Sequence, residues 1–296
     1  MSDRAERTAV AALLAGAVGI AFAPIFVRWS EVEPTVTAFW RVLLAAAPMW
    51  LLARRQRRRV RRPAGARDYF YLALPGVFFA GDLGVWHWSI RYTSVANSTL
   101  LANFAPVFVT LGGWLVFRRR FRRLFLVGMA LAIAGAVLLV GDSLHFGGRH
   151  ALGDGLGLLT AVFYASYILA VGKLREEFST ATILAWSATS AAVVLFPVCA
   201  ALGEPFLPAS ATGWAVLIGL AMVSHVGVQG LIAYALAHLP AAFSSVTLLV
   251  QPVMATFLAW IFFQESLGAG QAAGAVVILV GIVLARRGSL TPAAAA

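Results

Sequence analysis

The chain has 296 residues, of which 61% are hydrophobic and only 12% are charged, and its mean hydropathy is +0.85. Soluble domains contain roughly 45–50% apolar and about 25% charged residues, so this chain has more apolar surface than a water-soluble fold can bury. The composition excludes a soluble globular protein and predicts an all-α integral membrane protein.

The net charge of +11 is concentrated in two short segments. Of the 23 Lys and Arg residues, eight lie at 54–67 and five at 118–123. Basic clusters between apolar runs are typical of cytoplasmic loops. Aromatic residues do not alternate with these arginines as a base-stacking surface would require, so no nucleic-acid partner is expected. The single cysteine, Cys199, excludes an intrachain disulfide.

Ten segments are long and apolar enough to cross a bilayer, since a spanning helix needs about 20 mostly apolar residues. They are 8–27, 34–53, 69–90, 95–117, 124–140, 155–172, 180–202, 211–237, 241–263 and 267–285. The first run is too long for the apolar region of a signal peptide. The weakest separation is at 238–240, where Pro240 favours the first turn of the next helix. No loop is long enough for a soluble domain, so the function must reside among the helices.

The distribution of basic residues predicts the orientation of these spans. Ten spans place both termini on one side, and with the termini inside, 19 of the 23 basic residues lie in inner segments. The other four are Arg28, Arg41, Arg91 and Arg149. This asymmetry predicts cytoplasmic termini. We expect a multi-pass protein of the inner (plasma) membrane.

The sequence repeats itself after 146 residues, without a gap over a stretch of about 45 residues. The shift superimposes Ala96 on Ala242, Ser98 on Ser244, Pro106 on Pro252, Thr110 on Thr256, Trp114 on Trp260, Gly128 on Gly274, Gly135 on Gly281, Val137 on Val283 and Leu138 on Leu284. We therefore predict two five-helix repeats, 1–145 and 146–296. Because five is odd, the second repeat must be inverted relative to the first. Inverted repeats allow a central site to face each side of the membrane in turn.

Two prolines are candidate hinges. Pro106 and Pro252 occupy equivalent positions, each about midway along its predicted span. A proline within a helix leaves a carbonyl free and allows bending, and interrupted helices at matching positions point to the transport site. The alternative for either proline is a static kink required by packing.

Several short motifs link the chain to a known family. They are AFWR at 38–41, RYTSVA at 91–96 followed by Pro106, and AHLPAA at 237–242 followed by Pro252 and by FQE at 263–265. The chain resembles the EamA-type members of the drug/metabolite transporter superfamily, which have ten helices in a duplicated five-helix unit. Glu265 is similar to the acidic residue that follows the fourth helix of each unit, whereas the first repeat has Arg119 there. Within the family it is most similar to YddG-type exporters of aromatic and other amino acids.

The resemblance implies a secondary transporter that exports amino acids, aromatic and other apolar ones foremost. A carrier of phosphorylated metabolites or nucleotide sugars, or of cationic drugs, is the alternative. The sequence contains no Gly-rich phosphate-binding loop, so direct use of ATP is not expected. The spans supply no acid–base constellation, so an enzyme is not expected either. Neither a cofactor nor a metal site is expected. Proton coupling and oligomeric state are left open, and a monomer is compatible with the pattern.

Two charged residues fall within predicted spans, where they are functional candidates by default. Arg41 and Asp82 both lie about 10–12 Å below the outer boundary at 1.5 Å per residue. Equal depth predicts a buried Arg41–Asp82 ion pair that ties two helices together. The alternative is that Asp82 takes up a proton or meets a substrate ammonium group.

The remaining candidates are polar and aromatic residues in the spans. They are Asn103, Gln251, His225, Tyr164, Tyr167 and Trp86. An amino-acid cavity needs hydrogen-bonding groups for the ammonium and carboxylate, and aromatic or apolar walls for the side chain. Asn103 and Gln251 are the strongest candidates because their amides flank the paired prolines. Packing against lipid or core is the alternative for each aromatic residue, and an interhelical hydrogen bond is the alternative for His225.

Overall fold

A computed structural model describes residues 3–55, 61–93, 95–140, 151–264 and 268–290, which form helices and no strand. The helices are α1 (Asp3–Ile20), α2 (Ala23–Trp29), α3 (Pro34–Arg55), α4 (Ala66–Tyr92), α5 (Val95–Ala102), α6 (Ala105–Leu115), α7 (Arg123–Val140), α8 (Ala151–Leu174), α9 (Thr180–Leu202), α10 (Ala211–Gly219), α11 (Val228–Leu236), α12 (Ala241–Thr247), α13 (Val250–Phe263) and α14 (Ala269–Leu290). A π-helical segment, Leu220–Gly227, connects α10 to α11.

These helices form ten spans long and apolar enough to cross a membrane, which confirms the predicted number. Four spans are composite: α1 with α2, α5 with α6, α10 with the π-helical segment and α11, and α12 with α13. The weak separation at 238–240 is real, and Pro240 is the N-cap of α12. Glu265 and the predicted repeat boundary after residue 145 lie outside the described residues.

The packing of α7 against α14 shows that the repeats are inverted. A methyl group on Gly128 would lie 2.6 Å from the Gly281 carbonyl oxygen, and one on Gly274 would lie 2.7 Å from the Gly135 carbonyl oxygen. Early residues of α7 therefore meet late residues of α14, and the two helices are antiparallel. The 146-residue shift converts the first contact into the second, so a pseudo-twofold axis relates the two contacts.

The fourth span (α5–α6) and the ninth span (α12–α13) carry a second symmetric pair of contacts. The Thr110 hydroxyl donates to the Pro106 carbonyl at 2.7 Å, and the Thr256 hydroxyl donates to the Pro252 carbonyl at 3.0 Å. Threonine often bonds the carbonyl four residues earlier in a helix. The sequence alignment of these spans therefore corresponds to equivalent local structure.

Both of these spans are interrupted at matching positions. The break between α5 and α6 is at residues 103–104, and that between α12 and α13 is at 248–249. Pro106 and Pro252 lie in the first turn of the second half-helix, where a proline fits without loss of a helical hydrogen bond. The spans are thus broken ahead of the prolines, and the hinge function of these residues stays a prediction.

Candidate substrate cavity

A cavity of about 230 Å³ lies between the two repeats. Its wall is formed by the first to fourth spans of the first repeat and by α8, the π-helical segment, α11 and α13 of the second. Its polar and charged lining residues are Thr37, Arg41, Asp82, Trp86, His87, Thr99, Asn103, Thr160, Tyr164, Gln229 and Gln251.

The cavity is closed towards the side that carries the chain termini, called here the terminal side. On that side α12 packs against α6, α8 and α14, and Phe243, Val246 and Thr247 are buried. The lining extends the other way, to Val27 and Pro34 at the far ends of the first and second spans. The cavity therefore faces the side opposite the termini.

Arg41 and Asp82 both lie on the cavity wall but do not form the predicted ion pair. One terminal nitrogen of Arg41, Nη2, donates to the Ser224 carbonyl at 3.1 Å, and the guanidinium lies 5.6 Å from the ring centre of Phe79. No salt bridge joins Arg41 to Asp82 in the described part of the chain. The predicted ion pair is therefore wrong. The prediction compared only the depths of the two side chains and did not consider that a carbonyl of the π-helical segment could accept the hydrogen bond of Arg41.

Asp82 is half-buried and faces the cavity. Among the described residues its carboxylate has neither a hydrogen bond nor a salt bridge, although Arg41 is close enough to act on it through space. A charge at this depth in a membrane is costly unless a partner, a proton or water stabilises it. The carboxylate is therefore available to a cationic group of a ligand or to a proton.

The π-helical segment shapes the wall behind Arg41. Such segments are rare, are frequently found at functional sites, and replace the usual i→i−4 hydrogen-bond pattern. His225 of this segment packs edge-on against Phe79, with ring centres 5.4 Å apart, and is 1% exposed. Neither of its ring nitrogens has a hydrogen-bond partner within the described ranges. His225 lies behind the wall, so its predicted contact with substrate is not available in this conformation.

Tyr167 also lies behind the wall, where it holds a residue that does line the cavity. Its hydroxyl donates to Gln229 Oε1 at 3.2 Å, and its ring stacks on Tyr164 with 6.2 Å between ring centres. Gln229 Nε2 is buried without a partner among the described atoms. Sequence reasoning missed Gln229, although an amide within an apolar span is the signal that identified Gln251.

The two amides next to the helix breaks both lie on the wall. Asn103 Nδ2 donates to the Thr99 carbonyl at 3.0 Å, which satisfies an acceptor near the break. Gln251 makes no side-chain hydrogen bond in the part of the chain that the structure describes. Asn103 and Gln251 are not equivalent by the 146-residue shift, so each repeat contributes an amide independently.

The predicted site residues thus fall into two groups. Those on the cavity wall are Asp82, Trp86, Asn103, Tyr164, Gln251 and Pro252, together with Arg41. Those that do not line it are Pro106, Tyr167 and His225. Trp86 packs on His87, another wall residue that was not predicted, with ring centres 5.2 Å apart.

The sequence matches the profile of the EamA-like transporter family twice, at residues 7–141 and 151–287. The chain belongs to this family. The two matches cover both halves of the molecule and agree with the pseudo-twofold axis through α7 and α14. This EamA protein is therefore a multi-pass membrane transporter and not an enzyme.

Curated relatives of this EamA protein carry transporter names. It is 26% identical to the pseudopaline exporter CntI of Pseudomonas aeruginosa over 73% of this chain and 74% of the relative. It is 27% identical to a probable terminal-alkyne amino-acid exporter of Streptantibioticus cattleyicolor over 78% and 77%, respectively. An uncharacterized transporter of Archaeoglobus fulgidus is 25% identical over 86% and 88%. One solved crystal structure, 18% identical, superposes with a TM-score of 0.79 over 99% of this chain and 100% of its own, which shows the shared fold.

Proposed function

We propose that this EamA protein exports zwitterionic amino acids, aromatic and apolar ones foremost, across the inner membrane by alternating access. The observation that carries the proposal is the presence of Arg41 and Asp82 on the wall of one small cavity between the repeats. A zwitterion needs one donor for its carboxylate and one acceptor for its ammonium group. In the proposed complex Arg41 binds the substrate carboxylate and Asp82 binds the ammonium group, both through charge-assisted hydrogen bonds.

The size and walls of the cavity support a single amino acid as the substrate. Its volume of about 230 Å³ is below the roughly 300–1,000 Å³ of sites for drug-sized ligands. Phe79, Trp86 and Tyr164 provide aromatic surface for an apolar side chain. Gln229 and Gln251 add amides that can donate to or accept from the substrate backbone.

The charge of the cavity disfavours the alternative substrates. Arg41 is the one Lys or Arg among the described lining residues, whereas a phosphorylated solute would favour several basic groups. For a cationic drug the same guanidinium is repulsive. A ligand with one charge of each sign fits both residues.

The direction of transport rests on the relatives and on loop charge. Two of the relatives are named as exporters. The 19 basic residues on the terminal side favour cytoplasmic termini, which would make the present cavity open to the outside. The matched helix breaks and the inverted repeats favour alternating access about this site.

The test is transport by the purified protein in liposomes. Radiolabelled phenylalanine, leucine and threonine are supplied with and without a pH gradient. Saturable flux that other amino acids inhibit is expected. If none of the three is transported, the proposal is rejected and phosphorylated solutes and cationic drugs become the substrates to test.

Trp86→Ala is expected to weaken the apparent affinity for phenylalanine by a few-fold to about tenfold, with a smaller effect on threonine. The reason is that an aromatic pair contributes about 0.5–1.5 kcal/mol beyond area burial, and every 1.4 kcal/mol is about tenfold. Concentration-dependent flux of the two amino acids measures the ratio. Trp88→Ala is the matched control, because Trp88 lies two residues further along α4, is 41% exposed and is not on the cavity wall. Equal changes in the two variants would contradict the role of Trp86.

A further inference from the structure

A second pocket, of about 600 Å³, lies on the terminal side. It is formed by the ends of α6, α7, α8, α11, α12 and α14 and by the segments next to them. None of its described lining residues also lines the substrate cavity. Its location at the ends of the spans places it where lipid headgroups meet water. We call it the basic pocket.

The charge of the basic pocket is strongly positive. Among its described lining residues one is a carboxylate, Glu176, which pairs with Lys173 at 2.5 Å. Against this single acid stand five basic residues: Arg119, Arg120, Arg122, Lys173 and Arg175. The imbalance within one concave surface favours an anionic ligand.

Arg175 gives the pocket a partly buried donor. Its Nη1 donates to the Phe178 carbonyl at 2.5 Å, whereas its Nε is buried and has no partner in the described part of the chain. Burial lowers the pKa of the Arg175 guanidinium. A buried, charged N–H group without an acceptor is destabilising, and an anion seated beside it would remove that penalty.

The inner wall of the basic pocket is apolar. Phe121 and Phe125 stack with ring centres 5.3 Å apart, and Val109, Leu169 and Leu236 complete this surface. A free phosphate would contact the basic residues and leave the apolar wall empty. A phospholipid presents an anionic phosphate and an apolar chain together, and basic pockets between spanning helices bind such headgroups.

We propose that the basic pocket binds an anionic phospholipid from the leaflet on the terminal side, with its phosphate among the arginines and an acyl chain on the apolar wall. The start of α12, Ala241–Phe243, forms another part of the pocket. A bound lipid therefore contacts the helix that closes the substrate cavity on this side. The site is independent of which solute the protein transports.

The test is native mass spectrometry of the full chain purified from vesicles of phosphatidylcholine with added phosphatidylglycerol. Retention of phosphatidylglycerol in preference to phosphatidylcholine is expected. Arg122→Gln should reduce the retained phosphatidylglycerol about tenfold, as expected for loss of one charge-assisted hydrogen bond. Arg123→Gln is the matched control, since it removes the same charge one residue later, at the exposed start of α7 and outside the pocket lining.

If Arg122→Gln does not yield folded protein, Lys173→Gln tests the same pocket from α8. Equal lipid retention in the pocket variant and in Arg123→Gln would overturn the proposal, because general surface charge would then explain the binding. Complete displacement of phosphatidylglycerol by inorganic phosphate would also overturn it, since the occupant would then be a free phosphate-bearing solute. Retention that survives phosphate but is lost in Arg122→Gln supports the lipid.

Discussion

Asp82→Asn is expected to lower the transport of zwitterionic amino acids about tenfold to a hundredfold at limiting substrate. The substitution keeps the shape of the side chain and removes the carboxylate that faces the cavity. A hydrogen bond to a charged group contributes about 1.5–3 kcal/mol, and every 1.4 kcal/mol changes affinity about tenfold. The loss should appear mainly in the substrate concentration for half-maximal flux.

Two comparisons make this experiment specific. Glu33→Gln removes an equivalent charge from an exposed loop residue and should leave flux unchanged. Inhibition by 3-phenylpropionate, which lacks the ammonium group of phenylalanine, should not weaken in Asp82→Asn and should become stronger, since the carboxylate that repels this anion is removed. If Asp82→Asn keeps its affinity for phenylalanine but loses its response to a pH gradient, Asp82 carries a proton and the proposed ammonium contact is wrong.

The fold could be predicted from the sequence because the features that determine it are local. The length of an apolar run decides whether a segment spans the membrane, and all ten runs became spans. The repeat could be recognised because Pro106 and Gly128 recur after 146 residues as Pro252 and Gly274. Both the prolines and the glycines have a structural role that is the same in the two halves. The prolines begin half-helices, and the glycines allow two helices to approach closely.

The site could be predicted only in part, because counting residues along a span gives the depth of a side chain but not the direction in which it points. Asp82 and Trp86, which were predicted to bind substrate, both line the cavity, since polar and aromatic groups within spans tend to face the protein interior. Their contact with substrate stays a prediction. His225 and Tyr167 were predicted near the middle of the bilayer, but they lie behind the wall. For His225, the π-helical segment changes the angular progression of the side chains along its span, and the sequence carries no clear signal for such a segment.

The absent Arg41–Asp82 contact has the same origin. Equal depth on neighbouring spans is necessary for an ion pair, but it does not exclude a competing acceptor. The Ser224 carbonyl is that acceptor, and it is a backbone atom of the eighth span. The separation matters for the proposed function. If the two charged groups were in direct contact, they would neutralise each other and attract the charges of a zwitterion less strongly.

Gly281→Ala is expected to destabilise the protein severely, by about 3 kcal/mol or more, the upper end of the range for overpacking. A methyl group at this position would lie 2.5 Å from the Ala132 backbone nitrogen and 2.7 Å from the Gly128 carbonyl oxygen. These are backbone atoms in the middle of α7, so no side-chain rotation can relieve the clash. The helices would have to separate, and close packing between small residues is a main source of helix association in a membrane.

The measurement is the temperature at which half of the purified protein remains monodisperse after heating in detergent. Gly270→Ala is the matched control, because it lies in the same helix, and among the described residues no atom beyond its own stretch of that helix lies within 4 Å of the added methyl group. It should be neutral or slightly stabilising, since Ala favours a helix over Gly by up to about 1 kcal/mol.

Gly135→Ala should match Gly281→Ala, because the pseudo-twofold axis exchanges the two positions and a methyl on Gly135 would lie 2.6 Å from the Ile278 nitrogen. Unequal losses would show that the two ends of the α7–α14 contact are not equivalent, and unchanged stability in both variants would contradict the close approach of these helices.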